Sequence, residues 1–269
     1  MSVDLEDYFC DLPFSTWDKF QSRMVETTDV LLNLFKKYKV TATFFTLGYI
    51  AERHPELVER IVTEGHEIAS HSFKHTDIRT MDETSFENDL IKSIKTLEKI
   101  SGENILGFRA PFFSITKKNL WAFKIIKKHL KYDSSIFPVK TPLYGIPDAP
   151  RYPYHMIAEE PLVKTENGEL FEIPLATLRI PPFGNIPIAG GFHLRFLPFW
   201  LIKMGIKKFN KAGKSAMLYI HPKDLDPKMP KISQYSWHYY YGLQNAEKKF
   251  ESLLKHFTFS STREIYFKN

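Results

Sequence analysis

Ser2-Val3-Asp4-Leu5, a helix-patterned run from Trp17 to Tyr38, and Thr41-Ala42-Thr43-Phe44-Phe45-Thr46 are the segments whose order decides the fold. The first alternates polar and apolar residues and the third is β-branched and aromatic, so both read as strands. Between them Phe20, Met24, Val30, Leu31, Leu34 and Phe35 recur at approximate helical spacing, and Lys36-Lys37 fall where they complement the helix dipole. This is a β-α-β unit. Outward from it the pattern repeats: a helix at Pro55 to Glu64, a strand at Glu67 to Ser70, a helix at Asp82 to Ile100, a strand at Leu106 to Arg109, a helix at Thr116 to His129 and a short strand near Tyr132. Such alternation predicts an α/β fold with parallel strands wrapped by helices.

From Phe137 the composition changes, and Pro recurs at 138, 142, 147, 150, 153, 161, 174, 181, 182 and 187. Loops and hairpins are predicted over an insertion at about 137–195. Within it Leu162 to Lys164 and Leu170 to Ile173 flank Asn167-Gly168, whose residues tolerate the positive φ of a tight turn, so a hairpin is predicted there. Alternation resumes with a helix at Phe199 to Ala212, a strand at Ala216 to Ile220, a helix at Leu243 to His256 and a last strand at Phe257 to Phe259. No linker divides the 269 residues, and an α/β barrel commonly fills roughly 250, so one domain over 1–269 is expected.

Composition narrows the function. With 43% hydrophobic and 25% charged residues the chain can bury a sizeable core. The single cysteine, Cys10, excludes an intrachain disulfide and a multi-cysteine zinc site, so any metal must be held by His and carboxylate. No apolar stretch approaches the roughly 20 residues of a spanning helix. The acidic opening Asp4-Leu5-Glu6-Asp7 does not resemble a secretory signal, and the expectation is a cytoplasmic chain. The net charge of +6 reads as dispersed, and no Lys/Arg block interleaved with aromatics points to nucleic acid.

Four predicted strand ends are loaded with polar residues, and barrel enzymes build their sites there. Asp4 and Glu6 share a face of the first strand, projecting two carboxylates side by side. His71 and His75 are four apart, a spacing that on a helical turn lets two imidazoles bind one divalent ion. Taken singly, His66 reads as a turn residue after Gly65 and His54 as the start of a helix. Arg109-Ala110-Pro111-Phe112-Phe113 sets a guanidinium beside an apolar wall, and Leu218 to Ile220 end in His221. Any one of these has an ordinary structural reading: an acidic loop, a chance histidine pair, a salt bridge, a surface histidine. Together they suggest a metal held by a carboxylate and two histidines, a second carboxylate as base, an arginine beside it and a third histidine as acid. A metal so held lowers the pKa of bound water from 15.7 toward about 7, which is hydrolase chemistry.

The residues resemble those of the NodB-like polysaccharide deacetylases, carbohydrate esterase family four. Val3-Asp4-Leu5-Glu6-Asp7, His71-Ser72-Phe73-Lys74-His75, Arg109 to Phe113, Tyr132-Asp133-Ser134-Ser135 and Leu218 to His221 match its five motifs in order. Tyr144 to Arg151 and Gly190 to Arg195 are similar to a subgroup with a C-terminal extension linked to exopolysaccharide synthesis. The resemblance implies a distorted (β/α)7 barrel and removal of N-acetyl groups from sugars of a polysaccharide or glycolipid precursor. It implies that Glu6, His71 and His75 hold a divalent ion, with zinc the implied metal. Asp7 is the alternative to Glu6, because the family's adjacent Asp pair is here Asp4-x-Glu6-Asp7. It further implies that Asp4 accepts the water's proton, Arg109 pairs with Asp4, and His221 protonates the leaving amine. Asp133 would orient His221. Pro111, Phe112 and Phe113 would line the substrate, with a backbone N–H of the Phe112-Phe113 stretch receiving the oxyanion; Tyr144 and Trp237 are further candidates for a sugar groove.

Two other readings stand beside this one: a hydrolase of small amides, like allantoinase, and a carbohydrate-binding protein on an inactive scaffold. The expected partner is an N-acetylated glycan or a lipid-linked saccharide, with peripheral contact at the inner membrane face reconciling a cytoplasmic chain with a cell-envelope substrate. The oligomeric state is open.

Overall fold

The computed structural model describes residues 1–141 and 144–268; Pro142 of the proline-rich run, Leu143 and Asn269 lie outside them. Strand β1 (Ser2–Leu5) is buried throughout. Its alternation turns Val3 and Leu5 to one side and Ser2 and Asp4 to the other, where Arg109 Nη1 donates to Ser2 Oγ at 2.9 Å and to Asp4 Oδ1 at 2.5 Å. Helix α1 (Met24–Tyr38) begins later than the sequence pattern. Its opening N–H groups are already taken: Asp7 accepts from Arg23, and Ser22 Oγ accepts from Met24 at 3.2 Å. Trp17 sits instead in a short 3₁₀ turn, Phe14–Lys19.

Strand β2 (Thr43–Thr46) leads into helix α2 (Gly48–Arg53), which hydrophobic spacing had not disclosed, then helix α3 (Pro55–Thr63) and strand β3 (Glu67–Ser70). Helix α4 (Glu83–Ser101) is capped by Asp82, which accepts from the Ser85 amide, and closed by Gly102 at φ 68°. Strand β4 (Gly107–Phe108) needs its glycine: a Cβ there would stand 1.9 Å from the Tyr132 ring. Helix α5 (Ala122–His129) is shorter than expected because Asn119 Oδ1 accepts from both the Thr116 amide and hydroxyl, folding 116–119 as a turn. Strand β5 (Tyr132–Asp133) follows.

The proline-rich part departs most from expectation. Strand β6 (Tyr154–Met156) pairs antiparallel with β7 (Leu170–Glu172), with His155 opposite Phe171. Leu162 to Lys164 therefore form no strand, and Asn167-Gly168 is not a two-residue hairpin turn. Pro161 has no N–H to offer a ladder, and its carbonyl is held by the Tyr154 hydroxyl at 2.6 Å. A second hairpin, β8 (Thr177–Ile180) with β9 (Gly184–Pro187), turns through Pro181-Pro182-Phe183. Helices α6 (Gly191–Phe196) and α7 (Phe199–Lys211), strand β10 (Tyr219–Ile220) and helix α8 (Leu243–His256) complete the order. Phe257 to Phe259 make no ladder among the described residues; the rings of Phe257 and Phe259 pack on each other, centroids 6.4 Å apart.

The main sheet runs β10-β1-β2-β3-β4-β5-β7-β6, parallel except for β6. It curls until one parallel bridge, Leu175 to Met217, links the chain just after β7 to the chain just before β10. Seven parallel strands thus form the distorted barrel that the motifs implied, with their carboxyl ends at one mouth.

Candidate active site

Glu6, His71 and His75 converge, with one ligand atom of each within 4.8 Å of the others. Glu6 follows β1 on a tight turn in which its amide donates to Asp4 O at 3.0 Å. His71 follows β3, and its Nδ1 donates to Arg109 O at 2.8 Å; His75 Nδ1 donates to Cys10 O at 3.0 Å. A carbonyl can only accept, so each neutral ring carries its proton on Nδ1 and turns the Nε2 lone pair inward, the tautomer that metal-bound imidazoles adopt. The link between the histidines is not the helical turn that their spacing suggested: Ser72 and His75 have φ of 70° and 55°, and Ser72 Oγ accepts from the His75 amide.

The donor chemistry fits a divalent cation. Glu6 Oε2 is buried without a hydrogen-bond partner, although His75 Nε2 lies 2.7 Å and His71 Nε2 4.0 Å away. An orphaned carboxylate oxygen facing two ring nitrogens is the pattern of ligands aimed at a common point. Burial pushes His71 down to about 4, keeping it neutral at neutral pH. Burial also opposes charge on His75, but Glu6 and Asp11 outweigh it and raise its pKa; a cation held by this ring would require Nε2 to be free of its proton.

Asp7, the alternative ligand, points elsewhere. Its carboxylate accepts from the Tyr8 and Arg23 amides and, at 2.6 Å, from Ser22 Oγ, so it serves the start of α1. Glu6 Oε1 meets instead a cation that sequence reading had passed over: Lys223 Nζ lies 2.7 Å from it and 2.9 Å from Asp11 Oδ2. Burial would raise the Glu6 pKa, yet His75, Lys223 and His221 hold it well below the usual carboxylate range.

Beside this cluster stand Asp4 and His221. Arg109, wholly buried after β4, spends its fork on Asp4, Ser2 and Ser134 and lies over the Phe45 ring at 4.0 Å. His221, after β10, brings Nε2 to 3.2 Å from Glu6 Oε1 and 4.0 Å from Asp4 Oδ2. Its orienting partner is Asp224, not Asp133. Asp224 Oδ2 accepts from His221 Nδ1 at 2.8 Å and from the His221 amide at 2.9 Å, while Oδ1 accepts from Arg195 Nη2 at 3.0 Å. Burial would raise the Asp224 carboxyl, but His221 and Arg195 hold it far below its usual range. Burial likewise disfavours charge on His221, and Glu6 and Asp224 overcome it to raise its pKa. Asp133 cannot reach His221 because it sits on β5, in register with Glu172 of β7, and accepts from the amide and hydroxyl of Ser135. The signal for Asp224 was local: Pro222 and Asp224, one and three residues past His221, form a helix-start pattern in which Asp224 reaches back to the cap.

A cavity of about 410 Å³ opens over these groups, within the range of small-molecule sites. Phe112, Phe113 and Tyr144 line it, joined by Phe192, His238 and Tyr239. Pro111 is buried behind the wall, and Trp237 stands outside it, 6.0 Å from the Phe192 ring. Phe112 lies against the His75 ring at 4.3 Å. Phe112 and Phe113 have φ of 56° and 49°; with Ser72 and His75 they are four of the five positive-φ non-glycine residues among those described. Such conformations cost about 1–3 kcal/mol each and cluster where function constrains the backbone. His66, by contrast, is structural: buried between strands, it accepts from the Ala42 amide at 3.1 Å, and burial lowers its pKa to about 4.

Residues 12–128 match the family described as Polysaccharide deacetylase, and residues 134–267 match one described as Domain of unknown function (DUF3473). Over 99 residues the chain is 35% identical to a peptidoglycan-N-acetylglucosamine deacetylase of Bacillus cereus, covering 36% of either chain. Over 150 residues it is 31% identical to a peptidoglycan deacetylase of Helicobacter pylori, covering 54% of this chain and 50% of that one. The chain thus spans half or less of the length of these two relatives. A solved structure from Mycobacterium smegmatis, described as a polysaccharide deacetylase, aligns with 98% of this chain and 88% of its own at a TM-score of 0.63 and 20% identity, a likeness of fold. Both matched segments feed one sheet, since β5 pairs with β4 on one side and β7 on the other. Residues 12–128 are thus similar to polysaccharide deacetylases over somewhat less than half of the chain, and the fold is shared with a solved structure so described.

Proposed function

We propose that the chain is a metal-dependent hydrolase that removes N-acetyl groups from sugars of a polysaccharide or a glycolipid precursor. The observation that carries this reading is the convergence, in one cavity, of an orphaned carboxylate oxygen with two inward-facing imidazoles, next to the Asp4–Arg109 and His221–Asp224 pairs.

Glu6 and the Nε2 atoms of His71 and His75 would hold the ion, and zinc suits a carboxylate and two imidazoles. When bound, such an ion supplies Lewis acidity, polarising an amide carbonyl and acidifying water. Asp4, fixed by Arg109, accepts the proton of the attacking water. The oxyanion needs a donor with nothing else to bond. Phe113 N–H is engaged with Ala110 O at 3.1 Å, which leaves the Phe112 N–H of the same strained turn for that task. His221, with a raised pKa and its Nδ1 proton held by Asp224, donates from Nε2 to the leaving amine. Phe112, Phe113 and Phe192 offer apolar faces to a sugar ring. We read residues 1–269 as one catalytic unit, with the extension linked to exopolysaccharide synthesis and a lipid-linked saccharide among the proposed substrates.

The test is acetate release from acetylated chito-oligosaccharides and from cell-surface polymer, expected to stop with chelator and return with Zn²⁺. Ring opening of cyclic amides in place of acetate release would favour the allantoinase-like alternative.

A further inference from the structure

The positive charge of this chain, which reads as dispersed along the sequence, is concentrated. From Ile173 to Lys223 there is no Asp or Glu, yet there are eight Lys and Arg residues, more than the net +6 of the whole chain. Five of the eight, Lys203, Lys207, Lys208, Lys211 and Lys214, lie on or just after α7, and none has an ion pair among the described residues. Helix α7 is two-faced. Ile202, Gly205, Ile206 and Phe209 are buried, while Trp200, Lys203, Met204, Lys207, Lys208 and Lys211, at helical spacing, form the other face. Trp200 is 64% exposed, with no ring partner among the described residues. The same side chains border an open groove of largely apolar surface.

Hairpin β8–β9 packs on this helix. Its turn, Pro181-Pro182-Phe183, is exposed, and Phe183, at 81%, is the most exposed large apolar side chain among the described residues. Phe196, half exposed at the end of α6, stacks on Phe192 of the cavity wall with ring centroids 5.4 Å apart. No described helix is long and apolar enough to cross a membrane, so the α7 face would lie on a surface rather than in one.

We propose that the α7 face, with Trp200 and the neighbouring Phe183 turn, docks on the surface of an anionic lipid bilayer. Lysines flanking an exposed tryptophan match an interface in which ammonium groups meet lipid phosphates while the indole enters the headgroup region. Charge complementarity selects the lipid over an apolar partner, since five ammonium groups with no ion pair among the described residues would have to be desolvated against a protein of neutral surface. The aromatic components select it over a soluble polyanion, which gives Trp200 and Phe183 nothing apolar to enter. This docking does not depend on the reaction assigned to the cavity.

The test is partition of the purified chain onto phosphatidylcholine vesicles with and without about one-third phosphatidylglycerol, chosen as a representative anionic lipid. Binding to the anionic vesicles alone, weakened by salt, is expected. Simultaneous Lys207→Glu, Lys208→Glu and Lys211→Glu should lower the partition coefficient by at least about a hundredfold. Brominated lipid should quench tryptophan emission in the native chain and in Trp237→Phe but much less in Trp200→Phe. The quenching arm also stands if the triple variant fails to fold. Equal partition onto neutral and anionic vesicles, binding indifferent to the lysine reversals, or binding to heparin and anionic vesicles alike without quenching at Trp200 would overturn the proposal.

Discussion

Replacing Asp224 by Asn separates the roles of two aspartates. Asp224 presents one oxygen to two donors of His221 and the other to Arg195, and both Arg195 and Asp224 side chains are at least 95% buried. Asparagine has one acceptor oxygen. If it faces His221, the amide nitrogen opposes the buried guanidinium; if it faces Arg195, the nitrogen opposes Nδ1 and forces the imidazole into the other tautomer. In the first case a charge-assisted hydrogen bond worth about 1.5–3 kcal/mol is lost, which corresponds to at least tenfold in kcat if His221 protonates the leaving group. The second case approaches the roughly 10⁴-fold loss seen when a catalytic histidine is held in the wrong tautomer. Stability should fall by about 1–3 kcal/mol, lowering Tm by several degrees. The assay is steady-state acetate release, with ¹⁵N NMR of the His221 ring to read its tautomer. A drop in kcat at nearly constant KM, with an altered His221 spectrum, is expected for Asp224→Asn, and near-native kcat for Asp133→Asn. The reverse ranking would refute the reasoning.

Other expectations follow from the same geometry. Glu6→Gln and His75→Ala should each lose bound metal in elemental analysis after dialysis, while Asp7→Ala keeps it and loses stability through the opened start of α1. Lys223→Met leaves Glu6 and Asp11 without their shared cation and should cost about 3 kcal/mol, or roughly 5 °C in Tm by calorimetry of the metal-free protein. Asp133 and Glu172 carry a titration signature: burial raises Asp133 from 3.8 to about 6 against the hydrogen bonds with Glu172 and Ser135 that lower it, while burial and the Asp133 charge raise Glu172 well above its ordinary 4.5. The folded state thus binds protons more tightly than the unfolded chain. The stabilisation is full below about pH 4 and is lost as pH rises through 6 and beyond, so Glu172→Gln should gain on the native chain by at least about 1 kcal/mol between pH 5 and 8 in denaturant titrations. A gap independent of pH would show that the pair does not share a proton.

Most of the site was legible because parallel strands are apolar runs, and a charged or imidazole side chain at the end of such a run stands out. Asp4, Glu6, His71, Arg109 and His221 were found that way, and the sheet register carries all five to one mouth. Asp224 escaped because the turn after His221 decides which acid faces its ring, and Arg195 because its contact with Asp224 spans 29 residues. The β6–β7 pairing escaped for a different reason. Asn167-Gly168 is a strong short-range turn signal, but the ladder belongs to the segment that can offer N–H groups to β7, and Tyr154–Met156 does so while the Val163 amide is taken by the Glu160 carbonyl. The late start of α1 and the strained turns at Ser72 to His75 and Phe112-Phe113 likewise answer to distant partners, which periodicity does not carry.

The central claim is that Glu6, His71 and His75 share one cation. A crystal of the chain grown with Zn²⁺, with anomalous data collected above and below the zinc edge, tests it most directly. One strong peak about 2.0–2.2 Å from a Glu6 oxygen and from Nε2 of both histidines is expected, with Lys223 still on the other Glu6 oxygen. A cavity without that peak at saturating zinc, or a peak bound by Asp7 or by neither histidine, would contradict it.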